Sequence, residues 1–297
     1  MNSEWFLPAR NFLGLEPDLA AFESAEVLVL PIPYDSTVSY KSGSREGAGA
    51  IIDASLQVET FDIELRREIC RAGIHTLPEV APHMGGPEQM VERLYHVARQ
   101  ALQSGKLLVS FGGEHSLSSA LVKAHVERYP NLSVLQFDAH GDLRDSYEDT
   151  PYSHACVARR IVEMCPLVQV GIRSMSAEEW EFLNTEPKPP VTTFFAQPEP
   201  LSDAQLQQMV DALSPEVYIT LDLDALDPSI IAGVGTPEPG GLGWYETLRI
   251  LRYVAERRRI VGFDLMEYCP AEGGTAGAFT SAKLAYKLMG YCLQTWE

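Results

Sequence analysis

Residues 138–142 of this 297-residue chain read DAHGD, which places two carboxylates and an imidazole at every second position. A second acidic pair, Asp222 and Asp224, has the same spacing. Alternate side chains of an extended chain point the same way, so each motif presents its polar groups to one side. Carboxylates and imidazoles that face one another are costly to bury unless a cation lies between them. The two motifs therefore indicate a metal site.

The elements that must position these motifs are apolar segments typical of buried strands. Eight short segments rich in Val, Ile, Leu and Phe indicate a parallel sheet covered on both faces, and they are Val27–Leu30, Ile74–Leu77, Leu107–Phe111, Ser133–Phe137, Leu167–Val170, Val191–Phe194, Val217–Leu221 and Ile260–Phe263. Between them lie stretches with apolar residues at helical spacing, namely Glu88–Gln103, Ser116–Arg128, Ala177–Leu183, Ser202–Leu213, Tyr245–Arg258 and Ser281–Leu293. The alternation predicts a single α/β domain over residues 1–297, a three-layer α/β/α sandwich around an eight-stranded, mostly parallel sheet.

Four of the predicted strands run directly into acidic or histidine-containing segments. Leu107–Phe111 is followed by GGEHSLS, Ser133–Phe137 by DAHGD, Val217–Leu221 by DLDALDP, and Ile260–Phe263 by DLMEYCP. Ligands of open parallel sheets bind at the carboxyl ends of the strands. The polar residues therefore lie where the predicted topology places a site.

Six residues form the predicted ligand set, and they are His115, Asp138, His140, Asp142, Asp222 and Asp224. They are too many for one four-coordinate zinc ion and include no thiolate. Oxygen-rich coordination with a minority of imidazole suits Mn²⁺, with two ions sharing bridging carboxylates. Such a pair can hold a hydroxide nucleophile at neutral pH. A lone Asp after a strand would more simply cap a helix or turn, but three such motifs together favour the metal site.

The glycines beside His115 and the other histidines are expected to have structural roles and not to bind metal. Gly112 and Gly113 are expected to let the backbone turn sharply and bring His115 over the sheet. The remaining histidines are expected on helices or turns away from the strand ends, in ordinary surface or core roles, and they are His75, His83, His96 and His125.

Composition excludes several classes of protein. A net charge of −18 without a basic stripe argues against nucleic-acid binding and is compatible with a cationic ligand. No apolar run approaches the roughly 20 residues that cross a bilayer, so no membrane partner is expected. The start MNSEWFLPARNFLGL lacks the features of a signal peptide. Five cysteines without a CxxC pair are typical of reduced thiols, and we expect a cytoplasmic protein.

Six segments in order, FGGEHSLS, QFDAHGDLRD, YSHACVARR, TLDLDALDPS, GTPEPGGL and FDLMEYCP, resemble the ureohydrolases, that is arginase, agmatinase and their relatives. SYKSGSREGAGAI, near the amino terminus, is similar to an early turn and helix of that family. The resemblance implies the arginase/deacetylase-like fold, two Mn²⁺ per subunit and a homotrimer or homohexamer. It also implies that one ion has His115 and Asp142 as terminal ligands, that the other has His140 and Asp224, and that Asp138 and Asp222 bridge both.

Three catalytic roles follow from the same resemblance. Hydroxide bridging the metal ions would attack the guanidinium carbon, and Asp142 would carry its proton to the leaving amine. His154 would line the pocket mouth and shuttle protons, and Glu267 would pair with the substrate guanidinium. Asp264 would support the site without binding metal. Glu114 stands where many family members have Asp, and we expect little consequence.

The segment DLRDSYEDTPYSHACVARR is closer to agmatinases than to arginases. The expected substrate is therefore agmatine, a small cationic guanidino compound that would yield putrescine and urea. Glu148 and Asp149 could attract its distal amine, although two solvated loop acids are an equal alternative. Arg144 and Arg159 could instead bind a carboxylate, which keeps arginine and 4-guanidinobutyrate open.

Other functions also remain open. Aminopropylagmatine is a longer alternative substrate, and Ni²⁺ or Co²⁺ could replace Mn²⁺. A dinuclear phosphoesterase is less favoured, because the sequence shows no cluster of cationic groups for phosphoryl oxygens. A non-catalytic member of the family that binds metal is a further alternative.

Overall fold

A computed structural model describes residues 10–185 and 187–294. Of the predicted domain 1–297, residues 1–9, 186 and 295–297 lie outside the described residues. Eight strands form one sheet in the order β4-β1-β5-β10-β9-β6-β7-β8, and the strands are β1 Val27–Pro31, β4 Ile74–Thr76, β5 Leu107–Phe111, β6 Leu132–Phe137, β7 Leu167–Ile172, β8 Val191–Phe195, β9 Glu216–Asp222 and β10 Arg259–Met266. Every neighbouring pair is parallel.

Helices cover both faces of the sheet. They are α1 Pro17–Ala20, α2 Gly47–Ser55, α3 Pro87–Leu102, α4 Ser118–Arg128, α5 Val157–Val162, α6 Ala177–Leu183, α7 Asp203–Ala212, α8 Trp244–Ala255 and α9 Pro270–Cys292. Alternate residues of the strands enter two separate cores: Val27 and Val29 of β1 pack in one, and Leu28 and Leu30 in the other. The core that contains Val27 and Val29 includes residues of α2, α7, α8 and α9. The core that contains Leu28 and Leu30 includes residues of α3, α4 and α5. The predicted three-layer α/β/α sandwich is confirmed.

Every predicted strand and helix is present with ends shifted by a few residues, except that α9 begins at Pro270, well before the predicted Ser281. The periodicity did not predict α1, α2 or α5, which span four, nine and six residues. Only the family resemblance indicated a helix where α2 lies. An antiparallel hairpin of β2 Phe61–Asp62 and β3 Arg67–Glu68 was also missed. It is held to α9 by the ion pair between Lys287 and Asp62, 3.0 Å apart. Isolated two-residue strands have no periodicity that a sequence could reveal.

The four strands that precede the polar motifs are consecutive in the sheet. Their order is β5, β10, β9, β6, so the motifs emerge side by side at the centre of the carboxyl edge. Central strands are paired on both sides and are therefore well fixed in register, as in Phe137↔Leu221 and Met266↔Asp222. The fold thus brings residues more than 100 positions apart to one place.

A bilayer-spanning helix is absent from the described part of the chain, since none of its helices is both long and apolar enough.

Candidate metal centre

The predicted ligands converge around the imidazole of His115. Its Nδ1 atom lies 3.1 Å from Asp138 Oδ2, 3.3 Å from Asp142 Oδ2 and 3.3 Å from Asp222 Oδ2. His115 and all three carboxylates are buried. Three acidic side chains therefore surround one ring nitrogen in a space that water barely reaches.

A second group adjoins the first and shares one of its carboxylates. His140 Nδ1 lies 2.9 Å from Asp224 Oδ2 and 3.7 Å from Asp138 Oδ1. His115, Asp138 and Asp142 are one set of side chains that could hold a metal ion, and Asp138, His140 and Asp224 are another. Asp138 belongs to both sets, whereas Asp222, the other residue expected to bridge, belongs to neither.

Backbone geometry at the strand ends differs from simple alternation. Strand β6 ends at Phe137, before the first ligand. Asp142 has φ +51°, a left-handed conformation that is uncommon for a residue other than glycine. On β9, Asp222 is the last strand residue and caps the short 3₁₀ helix Leu223–Ala225 by accepting the N–H of Asp224 at 2.9 Å. Loops and caps, rather than continued strands, aim these ligands.

The protonation of His115 is set from the side opposite the acids. Its Nε2 lies 2.9 Å from the hydroxyl of Thr220, which donates to Asp264 Oδ1 at 2.8 Å. Because a hydroxyl has one proton to donate, Thr220 accepts the Nε2 proton of His115. In the neutral ring Nδ1 is then the nitrogen that keeps a lone pair for a cation, and it is a buried atom without a hydrogen-bond partner. Asp264 therefore supports the site from behind, as expected.

These residues fit a pair of divalent cations. Burial and the neighbouring acids raise the pKa of Asp142 to about 7 and that of Asp222 well above its usual range. Burial lowers the pKa of His140, but the contacts with Asp138 and Asp224 outweigh it and raise that pKa to about 12. The acids also raise the pKa of His115 against the effect of burial. The space between the acids thus attracts positive charge, and oxygen donors with a minority of imidazoles suit hard divalent metals.

A cavity of about 250 Å³ opens onto this cluster. Its lining includes His140, Asp142 and His154, together with Ser39 and Thr236, which sequence reasoning did not single out. Burial lowers the pKa of His154 to about 4, so its imidazole is neutral at neutral pH. His154 therefore lies at the cavity, as predicted.

Glu267 lies beside the cluster and contacts the backbone of His115. The residue is buried, and its Oε1 accepts the backbone N–H of His115 at 2.7 Å. Burial, with the nearby charge of Glu114, raises the pKa of Glu267 to about 8. Its φ of +66° is also left-handed. The cavity lining does not include it.

The glycines before His115 serve close packing rather than an unusual turn. A Cβ on Gly112 would lie 1.8 Å from Met266 Sδ, and a Cβ on Gly113 would lie 1.8 Å from the carbonyl oxygen of Tyr34. Neither glycine is among the residues with positive φ. The chain does bend at Gly113 and Glu114, but the lack of space for a side chain, rather than a positive φ, is what requires the two glycines.

Glu114 makes more contacts than its expected minor role suggests. It is fully buried, and its carboxylate accepts hydrogen bonds from Ser36, Thr37 and Ser116. Burial raises its pKa, and these hydrogen bonds oppose that shift. The loop that contains Ser36 and Thr37 had no motif to identify it.

The charged residues proposed for the far end of a substrate lie at different depths. Arg144 lines the cavity, with its guanidinium 4.9 Å from the centre of the Tyr147 ring. Arg159 is instead packed over Phe182 at 3.8 Å and does not line it. Glu148 and Asp149 are exposed at the tip of a turn that follows Tyr147, with φ +47° and +64°.

The remaining histidines and a second, larger cavity lie away from the cluster. His75 lies in strand β4 rather than on a helix or turn, and His125 is buried in α4. Neither they nor His83 and His96 belong to a group of potential ligands among the described residues. A cavity of about 950 Å³ lies between the β2–β3 hairpin, α8 and α9, and none of the predicted ligands lines it.

Comparisons with known proteins agree with this architecture. The model of the arginase family matches residues 25–291. An N(1)-aminopropylagmatine ureohydrolase of Synechocystis is 37% identical over 292 residues, covering 95% of this chain and 94% of the relative. Another, from a strain of Thermus thermophilus, is 39% identical over 272 residues, covering 91% and 92%. The crystal structure of the agmatine ureohydrolase of Thermoplasma volcanium superposes with a TM-score of 0.84 at 26% identity, covering 97% of this chain and 96% of that one. The chain therefore belongs to the arginase family of ureohydrolases.

Proposed function

We propose that this protein hydrolyses the guanidino group of N(1)-aminopropylagmatine, releasing urea and the corresponding triamine, with agmatine as the second candidate substrate. The observation that carries the proposal is the cluster of four carboxylates and two imidazoles at the base of a cavity. Two relatives that match over nine-tenths of this chain are named for the longer substrate, which supports its place as first candidate. The agmatine ureohydrolase structure supports the second.

The cavity suits the end of a linear cation. It is lined by the carboxylates of Asp142 and Glu179, and Glu179 is buried where it accepts the N–H of Leu143 at 2.9 Å. Beyond Tyr147 lie two further acids, Glu148 and Asp149, both exposed. A substrate with an aminopropyl extension carries a second ammonium group that could reach this turn, whereas agmatine ends sooner.

Two Mn²⁺ ions are the proposed cofactors. His115, Asp138, Asp142 and Asp222 would hold one ion, and Asp138, His140, Asp222 and Asp224 the other. When bound, such a pair supplies Lewis acidity and makes water nucleophilic at neutral pH. The oxygen-rich donor set favours Mn²⁺ over metals that prefer thiolate.

The side chains have separate tasks in the proposed reaction. A guanidinium stays protonated at physiological pH, and Glu267 is proposed to pair with it and fix its orientation. Asp142 accepts the proton of the attacking water and gives it to the departing amine. His154, neutral at the cavity, moves protons between the site and solvent.

Two further properties are proposed, the oligomeric state from the family resemblance and the location and partners from the composition and the cysteines. The protein is a homotrimer or homohexamer, and it acts in the cytoplasm without a nucleic-acid or membrane partner. The net charge of −18 would favour encounters with cationic substrates.

A panel of guanidino compounds tests the proposal. Urea is measured after incubation of the Mn²⁺-loaded protein with N(1)-aminopropylagmatine, agmatine, arginine and 4-guanidinobutyrate, each with and without prior removal of metal by a chelator. We expect kcat/KM to be highest for N(1)-aminopropylagmatine, lower for agmatine and lowest for the two carboxylates, with all activity dependent on metal.

The outcomes separate the alternatives. A preference for agmatine would move the substrate assignment to the second candidate. A preference for arginine or 4-guanidinobutyrate would show that Arg144 binds a carboxylate. If the protein bound metal but released urea from none of the compounds, a non-catalytic member of the family would be favoured. If it hydrolysed a chromogenic phosphoester and no guanidino compound, the proposed reaction class would be wrong.

A further inference from the structure

The loop of residues 34–39 packs against the segment that carries His115 and reaches His154 at the cavity. The carbonyl oxygen of Tyr34 accepts the backbone N–H of Glu114 at 3.0 Å. Three residues later, the Thr37 hydroxyl lies 3.3 Å from His154 Nδ1 and accepts the His154 backbone N–H at 3.0 Å. Thr37 is buried, so its hydroxyl has little access to water. The orientation of this hydroxyl therefore decides whether Nδ1 of His154 faces a hydrogen-bond donor or an acceptor.

Glu114 fixes that orientation. Its Oε2 accepts the backbone N–H groups of Ser36 at 2.5 Å and Thr37 at 2.7 Å. Its Oε1 accepts the hydroxyls of Thr37 at 2.9 Å and Ser116 at 2.5 Å. Two backbone N–H groups and the Ser116 hydroxyl already point at the carboxylate of Glu114, so it serves as the acceptor and the single proton of the Thr37 hydroxyl points to it as well. The oxygen of Thr37 can then only accept a hydrogen bond from His154.

We propose that Glu114, acting through Thr37, holds the neutral imidazole of His154 with its proton on Nδ1 and its free lone pair on Nε2. Glu114 and Thr37 are positioning residues: neither needs to touch the substrate. Nε2 lies 3.4 Å from the hydroxyl of Ser39, another residue of the cavity lining. The ring thus presents its basic nitrogen at the cavity, where a proton acceptor serves the reaction. This inference rests on the proposed function for its catalytic consequence but not for the tautomer itself.

The variant Glu114→Gln gives the sharpest test. The two backbone N–H groups at Oε2 require an acceptor, so the amide oxygen must take that position and the NH₂ group must take the position of Oε1. The NH₂ group then donates to Thr37, whose freed proton turns to His154 Nδ1. The prediction is a reversed tautomer, with the proton on Nε2, although no heavy atom has been removed.

The tautomer is read from the ¹⁵N shifts of the histidine ring in the full-length protein loaded with diamagnetic Zn²⁺, and His154→Gln identifies the signals. We expect a protonated Nδ1 in the unmodified protein and a protonated Nε2 in Glu114→Gln. With substrate and Mn²⁺, kcat should fall roughly tenfold or more at nearly unchanged KM, as part of the roughly 10²–10⁴-fold that a positioned acid or base contributes. A protonated Nδ1 in both proteins, or a protonated Nε2 in the unmodified one, would overturn the proposal.

Further variants separate positioning from simple damage to the fold. Thr37→Val removes the acceptor of Nδ1–H and should lower kcat, whereas Thr37→Ser keeps the hydroxyl and should restore both kcat and the ¹⁵N signature. Ser36→Ala is the matched control, because its side chain bonds Tyr34 at 2.6 Å on the same loop and not His154. Ser153→Ala tests the other hydroxyl near Nδ1, 3.4 Å away, and should leave the tautomer unchanged. Equal losses of kcat in Thr37→Ser and Thr37→Val would refute the role of the hydroxyl.

If no guanidino compound yields urea, the proposed function fails while the ¹⁵N result still decides this proposal.

Discussion

Replacing Thr220 by Val should weaken metal binding without touching a ligand. Thr220 accepts the Nε2 proton of His115 at 2.9 Å and donates to Asp264 at 2.8 Å. Valine has nearly the same shape but can do neither, so the proton of His115 is free to move to Nδ1. Nδ1 faces the three acids, and a protonated Nδ1 cannot coordinate a metal ion.

The size of the effect follows from the burial of these groups. Thr220, His115 and Asp264 are at most 1% exposed, so water cannot replace the lost hydrogen bonds. A buried polar group left unpaired costs roughly 1–3 kcal/mol. Loss of a partner behind a metal-ligating histidine typically lowers affinity by roughly 10–100-fold, which corresponds to about 1.4–2.8 kcal/mol. The two ranges agree, and the expected loss in Mn²⁺ affinity is therefore one to two orders of magnitude.

Calorimetric titration of the metal-stripped protein with Mn²⁺ measures this change directly. Thr220→Ser retains the hydroxyl and is the matched control, and we expect it to bind Mn²⁺ within about threefold of the unmodified protein. Thermal unfolding in chelator reports any loss of stability that is independent of metal. If Thr220→Val bound Mn²⁺ as tightly as Thr220→Ser, the hydroxyl would not set the protonation of His115.

Three more changes probe other parts of the molecule. Asp138→Asn should abolish urea release and reduce bound metal from two equivalents to one or fewer, because Asp138 belongs to both ligand groups. Elemental analysis measures the bound metal, and two equivalents in the variant would contradict this expectation. Glu267→Gln should keep the hydrogen bond to the His115 backbone and should leave the metal content unchanged. It should lower kcat/KM for guanidino substrates by roughly 10²-fold or more, and an unchanged kcat/KM would exclude pairing of Glu267 with the guanidinium. Burial lowers the pKa of His125 from 6.5 to about 4. Between these pH values the unfolded chain binds a proton at His125 that the folded chain does not bind. About 3 kcal/mol of the free energy of unfolding should therefore be lost as pH falls from 6.5 to 4. His125→Phe should flatten that pH dependence in urea unfolding measured across this range, and an equal slope in both proteins would show that His125 does not cause it.

The apolar runs predicted the fold well, because strands buried on both faces leave a continuous hydrophobic signal. Each of the eight strands was located within a few residues, and the polar residues after four of them marked the site. Strand order was not predictable from periodicity. That β10 lies between β5 and β9 follows from long-range pairing, which no local pattern records.

Missed features share a physical cause: they depend on contacts between segments distant in sequence. Thr37 has no motif of its own, and its position is set by a carboxylate 77 residues away. The left-handed backbone of Asp142 and Glu267 also left no signal, because neither residue is a glycine. Alternation correctly indicated that the DAHGD side chains converge, although the strand ends before them.

The place of β10 in the sheet has a consequence for biosynthesis. This strand spans residues 259–266 and is inserted between two strands that a ribosome completes much earlier, at residues 111 and 222. Until it emerges, the halves of the sheet lack the connection that sets the distance between His115 and the acids of β6 and β9. Capture of metal ions by a growing chain should therefore wait until translation is almost finished, so that metal uptake reports a fully assembled sheet.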